Sequence, residues 1–315
     1  MRVPHLKGRE EFLKPLGFTR PETQWITLVC LHSGLFTRDQ AGFFLGSSKA
    51  TVTRFVQRLL AARVWGRPVA ADETVDGRRI CRIFGKALYE ALEAPHRRHR
   101  REASLEVTRR RLLSLDFVLD HPDLPWLATE PEKVACFEQL GIGRSLLPRR
   151  IYAGQARGTI HYFPLGMPVA VGPERVVFVY IDPGMGTRTE LDSWGAAHRR
   201  LWEKLRQSGR RVEVVAVAWE QKLLERAGRR LQFWAARDIS RAEKEILTLR
   251  QAIIEADWDT LAPHGGLEGA MGKVQQWYRG KPAPKGRGVI DDYRLWGSSR
   301  CRRIGAPFTK AGGFP

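Results

Sequence analysis

Ser47, Lys49, Thr51, Arg54, Gln57 and Arg58 all fall in the stretch SSKATVTRFVQRLLAA, whose apolar residues Val52, Phe55, Val56, Leu59 and Leu60 recur at three- and four-residue spacing. That spacing predicts a helix over 47–62 with one stripe to bury and an opposite side that is polar and basic. Hydroxyl, amide and cationic side chains lined up this way can donate to phosphate oxygens and to the edges of base pairs. Arg78, Arg79 and Arg82 follow in GRRICRIF and add a second cationic set suited to phosphates. Asp182 after the run RVVFVYI, with Glu220 and Lys222 after VEVVAVA, suggests a different chemistry. Two carboxylates and a lysine can hold magnesium and position water for phosphodiester cleavage.

The elements needed to position the first set follow in a definite order. Pro21 opens a helix carrying Trp25, Ile26, Leu28, Val29 and Leu31, which ends at Ser33-Gly34. Thr37 with Gln40 three residues on reads as the start of the next helix, Phe43, Phe44 and Leu45 as its apolar cluster and Gly46 as its stop. After the basic helix come a short extended run, a turn at Asp76-Gly77 and a second run in which Ile80, Arg82 and Phe84 alternate with other residues. This succession is similar to the winged helix-turn-helix domain, in which the second helix of the pair enters the major groove and the hairpin approaches the backbone. Lys86 to Glu93 is expected as a helix lying against the hairpin. Met1 to Arg20 is expected as an arm anchored by Phe12, Leu13, Leu16 and Phe18.

Bulk composition points the same way. Lys and Arg number 53 against 34 acidic residues in 315, a net charge of +19 and a pI near 10.4, which predicts a polyanionic partner with nucleic acid foremost. A ribosomal or membrane-surface protein can be this basic, but 10% aromatic residues and ten Trp predict packed domains instead. Cys30, Cys81, Cys136 and Cys301 are far apart, without a CxxC pair or a His at zinc-ligand spacing, so buried thiols are expected, with no metal and no cofactor. Neither a signal sequence nor a membrane-spanning run is legible, and a cytoplasmic, nucleoid-associated location is expected.

Downstream of the hairpin the composition changes. Arg97, Arg98, Arg100 and Arg101 form a basic cluster, and Arg109, Arg110 and Arg111 a second one on the helix that follows. Such a run is a solvated helix face or a linker helix tracking phosphates. Leu105, Leu112, Leu113, Leu115, Phe117, Val118 and Leu119 can alternatively serve as a core or dimer seam. From Asp120 a second domain is expected, with its clearest unit in RVVFVYI, an amphipathic helix over 189–207, and VEVVAVA. Two continuous apolar runs around a helix predict a parallel strand-helix-strand unit with a right-handed crossover. Helices are expected over 241–256 and 267–278, then a flexible connector, GKPAPKGRG, and a basic tail. Trp258, Trp277 and Trp296 are read as hydrophobic anchors.

The α/β half carries weaker motifs. The loop Asp182-Pro183-Gly184-Met185-Gly186 lies where open sheets bind ligands, but it lacks GxGxxG spacing and any GKS/GKT sequel, so a Gly-rich turn is the better reading. The Asp182, Glu220 and Lys222 set is separated by a whole helix, which is poor geometry for nuclease chemistry. His161-Tyr162 lacks the His pair a relaxase would want.

Over about residues 20–235, the segment TRDQAGFFLGSSKATVTRFVQRLLAARV, the Gly-Lys helix after the hairpin, and VVFVYID with its following helix together resemble the replication-relaxation family and related regulators of plasmids and integrative and conjugative elements. That family commonly follows the strand with an acidic pair, where this chain has Asp182 before Pro183. The resemblance implies DNA binding in mobile-element transcription or plasmid processing, and an α/β part of nuclease-like shape. The expected fold class is α+β: an N-terminal winged helix-turn-helix over 1–95, a basic linker helix over 96–119, an α/β domain over 120–237 and a helical C-terminal extension over 238–315. The expected function is a homodimeric, sequence-specific regulator of transcription that binds double-stranded DNA and is not an enzyme. Ser47, Lys49, Thr51, Arg54, Gln57, Arg58, Arg78, Arg79 and Arg82 are its DNA-binding residues, and Arg97, Arg98, Arg100 and Arg101 its secondary phosphate contacts. The alternative is a plasmid replication or relaxation accessory factor, or a metal-dependent nuclease acting on DNA.

Overall fold

Thr19 precedes the first long helix, α1 (Arg20–His32), and its amide donates to Glu22 Oε2 at 2.8 Å, closing the helix start. Burial is almost complete along α1, from Glu22 through His32. The computed structural model describes residues 6–75, 77–95, 98–152, 159–185, 189–235, 245–246, 248–249, 252–253, 255–280 and 288–298, with the side chains of Arg98 and of 277–280 excepted. The arm before α1 is a 3-10 helix over Arg9–Leu16 that buries Leu13 and leaves Phe12 exposed.

A short strand, β1 (Leu35–Phe36), leads into α2 (Arg38–Leu45). Thr37 and Gln40 cap α2 reciprocally: the Gln40 amide donates to Thr37 Oγ1 at 3.2 Å, and the Thr37 amide donates to Gln40 Oε1 at 2.9 Å. Gly46, at φ 60°, stops α2 and turns the chain into α3 (Lys49–Ala61). Ser48 caps α3 by accepting from the Thr51 amide at 3.4 Å.

A small hairpin, β2 (Arg63–Val64) and β3 (Arg67–Pro68), precedes the larger one, β4 (Ala70–Val75) and β5 (Arg78–Ile83). β5 lies between β4 and β1 in an antiparallel sheet, with Leu35 opposite Arg82 and Val75 opposite Arg78. The turn residue Asp76 lies outside the described residues. Trp25 meets Phe36 at 5.4 Å and Phe44 at 5.3 Å between ring centres, Phe55 of α3 meets Phe18 and Phe36, and this aromatic set holds the three helices on the sheet. α4 (Lys86–Ala91) follows and buries Leu88 and Tyr89.

Helix α5 (Leu105–Asp120) departs from the linker expectation. Leu112, Leu113, Leu115, Phe117, Val118 and Leu119 are all buried, in a core cluster that also holds Trp25 and Phe55 on one side and Val177, Val179, Val215 and Val217 on the other. Its arginines are engaged too. Arg110 is ion-paired at 2.7 Å to both Glu106 and Glu190, Arg109 lies over the Trp219 ring, and Arg111 donates to the His99 carbonyl. Of the readings open for this segment, the structure selects a core helix.

Beyond α6 (Glu130–Gln139) stands a two-stranded antiparallel ribbon, β6 (Arg149–Tyr152) and β7 (Thr159–Tyr162). The main sheet is then built from β8 (Val169–Val171), β9 (Arg175–Ile181), α7 (Glu190–Gln207) and β10 (Arg211–Ala218). β9 and β10 are parallel in register Val176↔Val212 to Ile181↔Val217, and β8 pairs antiparallel with β9. Alternate residues explain the continuous apolar runs. Val177, Val179, Val215 and Val217 share the cluster with α5, while Phe178 and Tyr180 meet Trp202 and Trp194 of α7.

The sheet has a further strand that composition did not announce. After α8 (Gln221–Ala235), α9 (Trp258–Leu261) and α10 (Gly266–Gly280), the chain returns as β11 (Asp292–Gly297), parallel to β10 with Val215 opposite Arg294, so the C-terminal region is not purely helical. Contacts group Met1–Leu231 with Ile290–Pro315 in one unit and Gln232–Val289 in another. The second unit has its own small cluster of Ile246, Leu249, Ala252, Leu261 and Ala270. Trp296 packs on Phe117 at 5.4 Å as an anchor, whereas Trp258 is exposed and the side chain of Trp277 lies outside the described residues. Most of the helix expected over 241–256, the connector at 281–287 and the tail from 299 also fall outside them. Among the described residues no helix is long and apolar enough to cross a membrane.

Candidate nucleic-acid interface

α3 is two-sided in the way its sequence predicts. Val52, Phe55, Val56 and Leu59 are buried, and Lys49, Thr51, Arg54, Gln57 and Arg58 are exposed. The exposed side borders an open groove of about 760 Å³ whose opposite wall is the start of α1, with Thr19, Pro21 and Glu22. Ser47, Thr51, Arg54, Gln57 and Arg58 all line it. Together they present two hydroxyls, an amide and two guanidinium groups to open space, groups able to donate to phosphate oxygens and base edges.

The cations differ in how free they are. Arg58 Nη2 donates to Glu22, its Nη1 donates to the Gly17 carbonyl at 3.2 Å, and its guanidinium lies over Phe18. Arg58 therefore ties α3 to α1, although the side chain is still half exposed. Lys49 and Arg54 have no carboxylate partner among the described residues. The Ser47 hydroxyl donates to the Leu45 carbonyl at 3.1 Å, inside the turn between α2 and α3.

On the larger hairpin, Arg79 is exposed and paired with Asp72 at 2.8 Å, and the same carboxylate takes Arg38 of α2 at 2.8 Å. Asp72 thus fastens the hairpin to α2. Arg82 is turned inward: it pairs with Glu73, donates to the Arg100 carbonyl at 3.4 Å and lies over Phe84. Its alternation with Ile80 signalled a strand but not which side the arginine would take. Arg78 is half-buried and, among the described residues, has no carboxylate partner.

The second basic cluster is divided. Arg97 and the side chain of Arg98 lie outside the described residues, Arg100 is half-buried and Arg101 is exposed. This segment is pinned to the end of α1 through a close approach at Gly34. Gly34 has φ 73°, and a Cβ there would come within 2.7 Å of the His99 carbonyl oxygen. Any other residue would be strained in backbone and blocked in space.

One hairpin carries no strong signal in the sequence. The β2–β3 turn is Trp65-Gly66, with φ of 51° and 75°, and Trp65 is 77% exposed between Arg63 and Arg67. Gly66 was the available signal, but a Trp at positive φ is uncommon, so the pair did not read as a hairpin turn. Arg63 is occupied locally, donating to the carbonyls of Leu60, Ala61 and Ala62 at the end of α3.

The α/β motif resolves into a held carboxylate. Asp182 is buried, accepts from the Gly184 amide at 2.9 Å and pairs with Arg226 at 2.6 Å, while exposed Lys222 pairs with Glu220 at 2.9 Å. Gly186, the last residue of the Gly-rich loop, lies outside the described residues. Nearby, burial raises the Glu190 carboxyl above the usual range, against the pull of Arg110. Among the described residues no group of three or more His, Cys, Asp or Glu could hold a metal ion. No protein-family model, curated protein or solved structure matches this chain.

Proposed function

We propose that residues 20–83 are a winged helix-turn-helix that reads double-stranded DNA through α3 and regulates transcription. The observation that carries this reading is the exposed side of α3, where Thr51, Arg54 and Gln57 line an open groove and Lys49 stands exposed at the helix start, while Val52, Phe55, Val56 and Leu59 are buried in the core. A net charge of +19 suits a polyanionic partner. In this reading Arg54 and Gln57 address base edges, and Arg78 and Arg79 address phosphates from the hairpin. A homodimer matches palindromic half-sites. The resemblance to regulators of plasmids and integrative and conjugative elements makes the mobile element the expected setting. The nuclease alternative gains nothing from a carboxylate already held by Arg226 and the Gly184 amide.

Footprinting on the DNA flanking the chain's own coding sequence, followed by affinity measurements on the protected site, tests the reading. Arg54→Ala is expected to relax preference at one base pair by about 1–3 kcal/mol, and Arg79→Ala to weaken all sequences alike. Equal losses on specific and random duplex for Arg54→Ala would refute the assignment of α3 as reader.

A further inference from the structure

The ribbon β6–β7 presents an unusual surface on the larger unit. All four residues of β6 are exposed, and Ile151 and Ile160, directly opposite each other, are 62% and 43% exposed. An isolated two-stranded ribbon is marginal in water, and it gains nothing from presenting an apolar pair to solvent. Yet its base is firmly held. The Tyr162 amide donates to Glu130 Oε1 at 2.7 Å, the Phe163 amide donates to the Pro148 carbonyl at 2.8 Å, and Phe163 stacks on fully buried Phe137 at 5.5 Å. The ribbon is a supported arm.

Its two sides have distinct chemistry. The pairing puts Arg149, Ile151, Ile160 and Tyr162 on one side and Arg150, Tyr152, Thr159 and His161 on the other. On the second side the Arg150 guanidinium lies 5.2 Å from the Tyr152 ring centre, and Tyr152 meets His161 edge-on at 5.4 Å. Charge singles out the partner. From residue 139 to residue 173 the sequence has no Asp or Glu, in a chain that otherwise carries 34 of them. Among the described residues there, Arg144 turns back to pair with Glu138 at the foot of the ribbon and His161 Nδ1 lies 3.5 Å from Glu130 Oε2, while Arg149 and Arg150 have no carboxylate partner. A protein partner of ordinary composition would find cations without matching carboxylates, whereas a duplex offers phosphates to the arginines and a groove to an apolar wedge.

We propose that the β6–β7 ribbon is a second DNA-binding arm, with Arg149 and Arg150 on phosphates and the Ile151/Ile160 pair against the minor groove beside the site read by α3. This rests on the DNA-reading assignment of α3 and extends it to a larger and more deformed site.

The test uses the full chain, with binding to the footprinted duplex and to a random duplex measured over a range of salt. Arg149→Ala/Arg150→Ala is expected to lower the slope of log affinity against log salt by about 2, one for each lost phosphate contact, to shorten the footprint at one end and to leave base preference intact. Arg149→Lys/Arg150→Lys should restore the slope. Ile151→Ser/Ile160→Ser should keep the slope and reduce the bend measured by fluorescence transfer across the site. An unchanged slope and footprint for the alanine pair would overturn the proposal. So would loss of a dimer in sedimentation for the serine pair with DNA binding intact, which would make the ribbon a protein-protein edge. If the wild-type chain binds no duplex at any salt, the reading of α3 itself fails, a result distinct from intact binding that ignores the ribbon.

Discussion

His198 is fully enclosed by aromatic rings, 4.4 Å from Trp194, 5.6 Å from Trp202 and 5.7 Å from Phe178, and its Nδ1 is 2.7 Å from the Trp194 carbonyl. Burial is the dominant effect and pushes its pKa down to about 4; the Trp194 carbonyl acts in the opposite sense, and Lys133 adds to the lowering. The folded chain keeps the imidazole neutral where an unfolded chain would protonate it. Stability from this group is therefore complete above the ordinary His pKa of about 6.5 and is lost as pH falls from there towards 4, by roughly 3 kcal/mol in all. Urea unfolding of the wild type and of His198→Gln at a series of pH values should show a steeper acid loss in the wild type, and parallel curves would refute it. At the same scale, burial pushes the Cys30 thiol up and the Cys81 thiol up to about 12, as expected of packed thiols.

At the scale of elements, α5 joins α2 to the main sheet through one buried polar chain. Gln40 of α2 donates from Nε2 to the Leu112 carbonyl at 3.0 Å and to Asp116 Oδ1 at 2.8 Å, and the Ser298 hydroxyl just after β11 donates to Asp116 Oδ2. Asp116 and Ser298 are wholly enclosed. Asp116→Ala removes the carboxylate that accepts from both donors and is expected to cost about 2–5 kcal/mol, against about 1–2 for Ser298→Ala. A Gln40→Ala/Ser298→Ala cycle read by thermal unfolding should be non-additive, and simple addition would mean the two ends do not communicate through Asp116. None of this was legible. Gln40 read as a capping residue, which it is, but its second role depends on a carboxylate 76 positions away. The helical stripe of α3 and the two apolar runs of the sheet were legible because their periods are local. The arginines of α5 misled because a charge run is usually solvated, and here Glu190 and Trp219 come from distant segments to meet it. β11 was missed because DYRLWG is short and its register is supplied by β10.

For the molecule as a whole, one core cluster runs from Trp25 and Phe55 through α5 to Val179 and Val217. Helix α3 and the α/β sheet are thus parts of a single cooperative body. Hydrogen exchange under native conditions should give amides of α1, α3, β9 and β10 a common opening free energy, while those of 266–276, which rest on a cluster of a few side chains, exchange sooner. Protection of β9 and β10 that persists after α1 and α3 have exchanged would show two independent folding units instead.

The late return of β11 has a consequence for biosynthesis. A ribosome completes every side chain of α3 long before it reaches Asp292, yet until then β10 has an open apolar edge and Asp116 lacks its Ser298 donor. Chains cut short before that point carry every exposed side chain of α3 beside an unclosed sheet, a form prone to edge-to-edge association and to degradation.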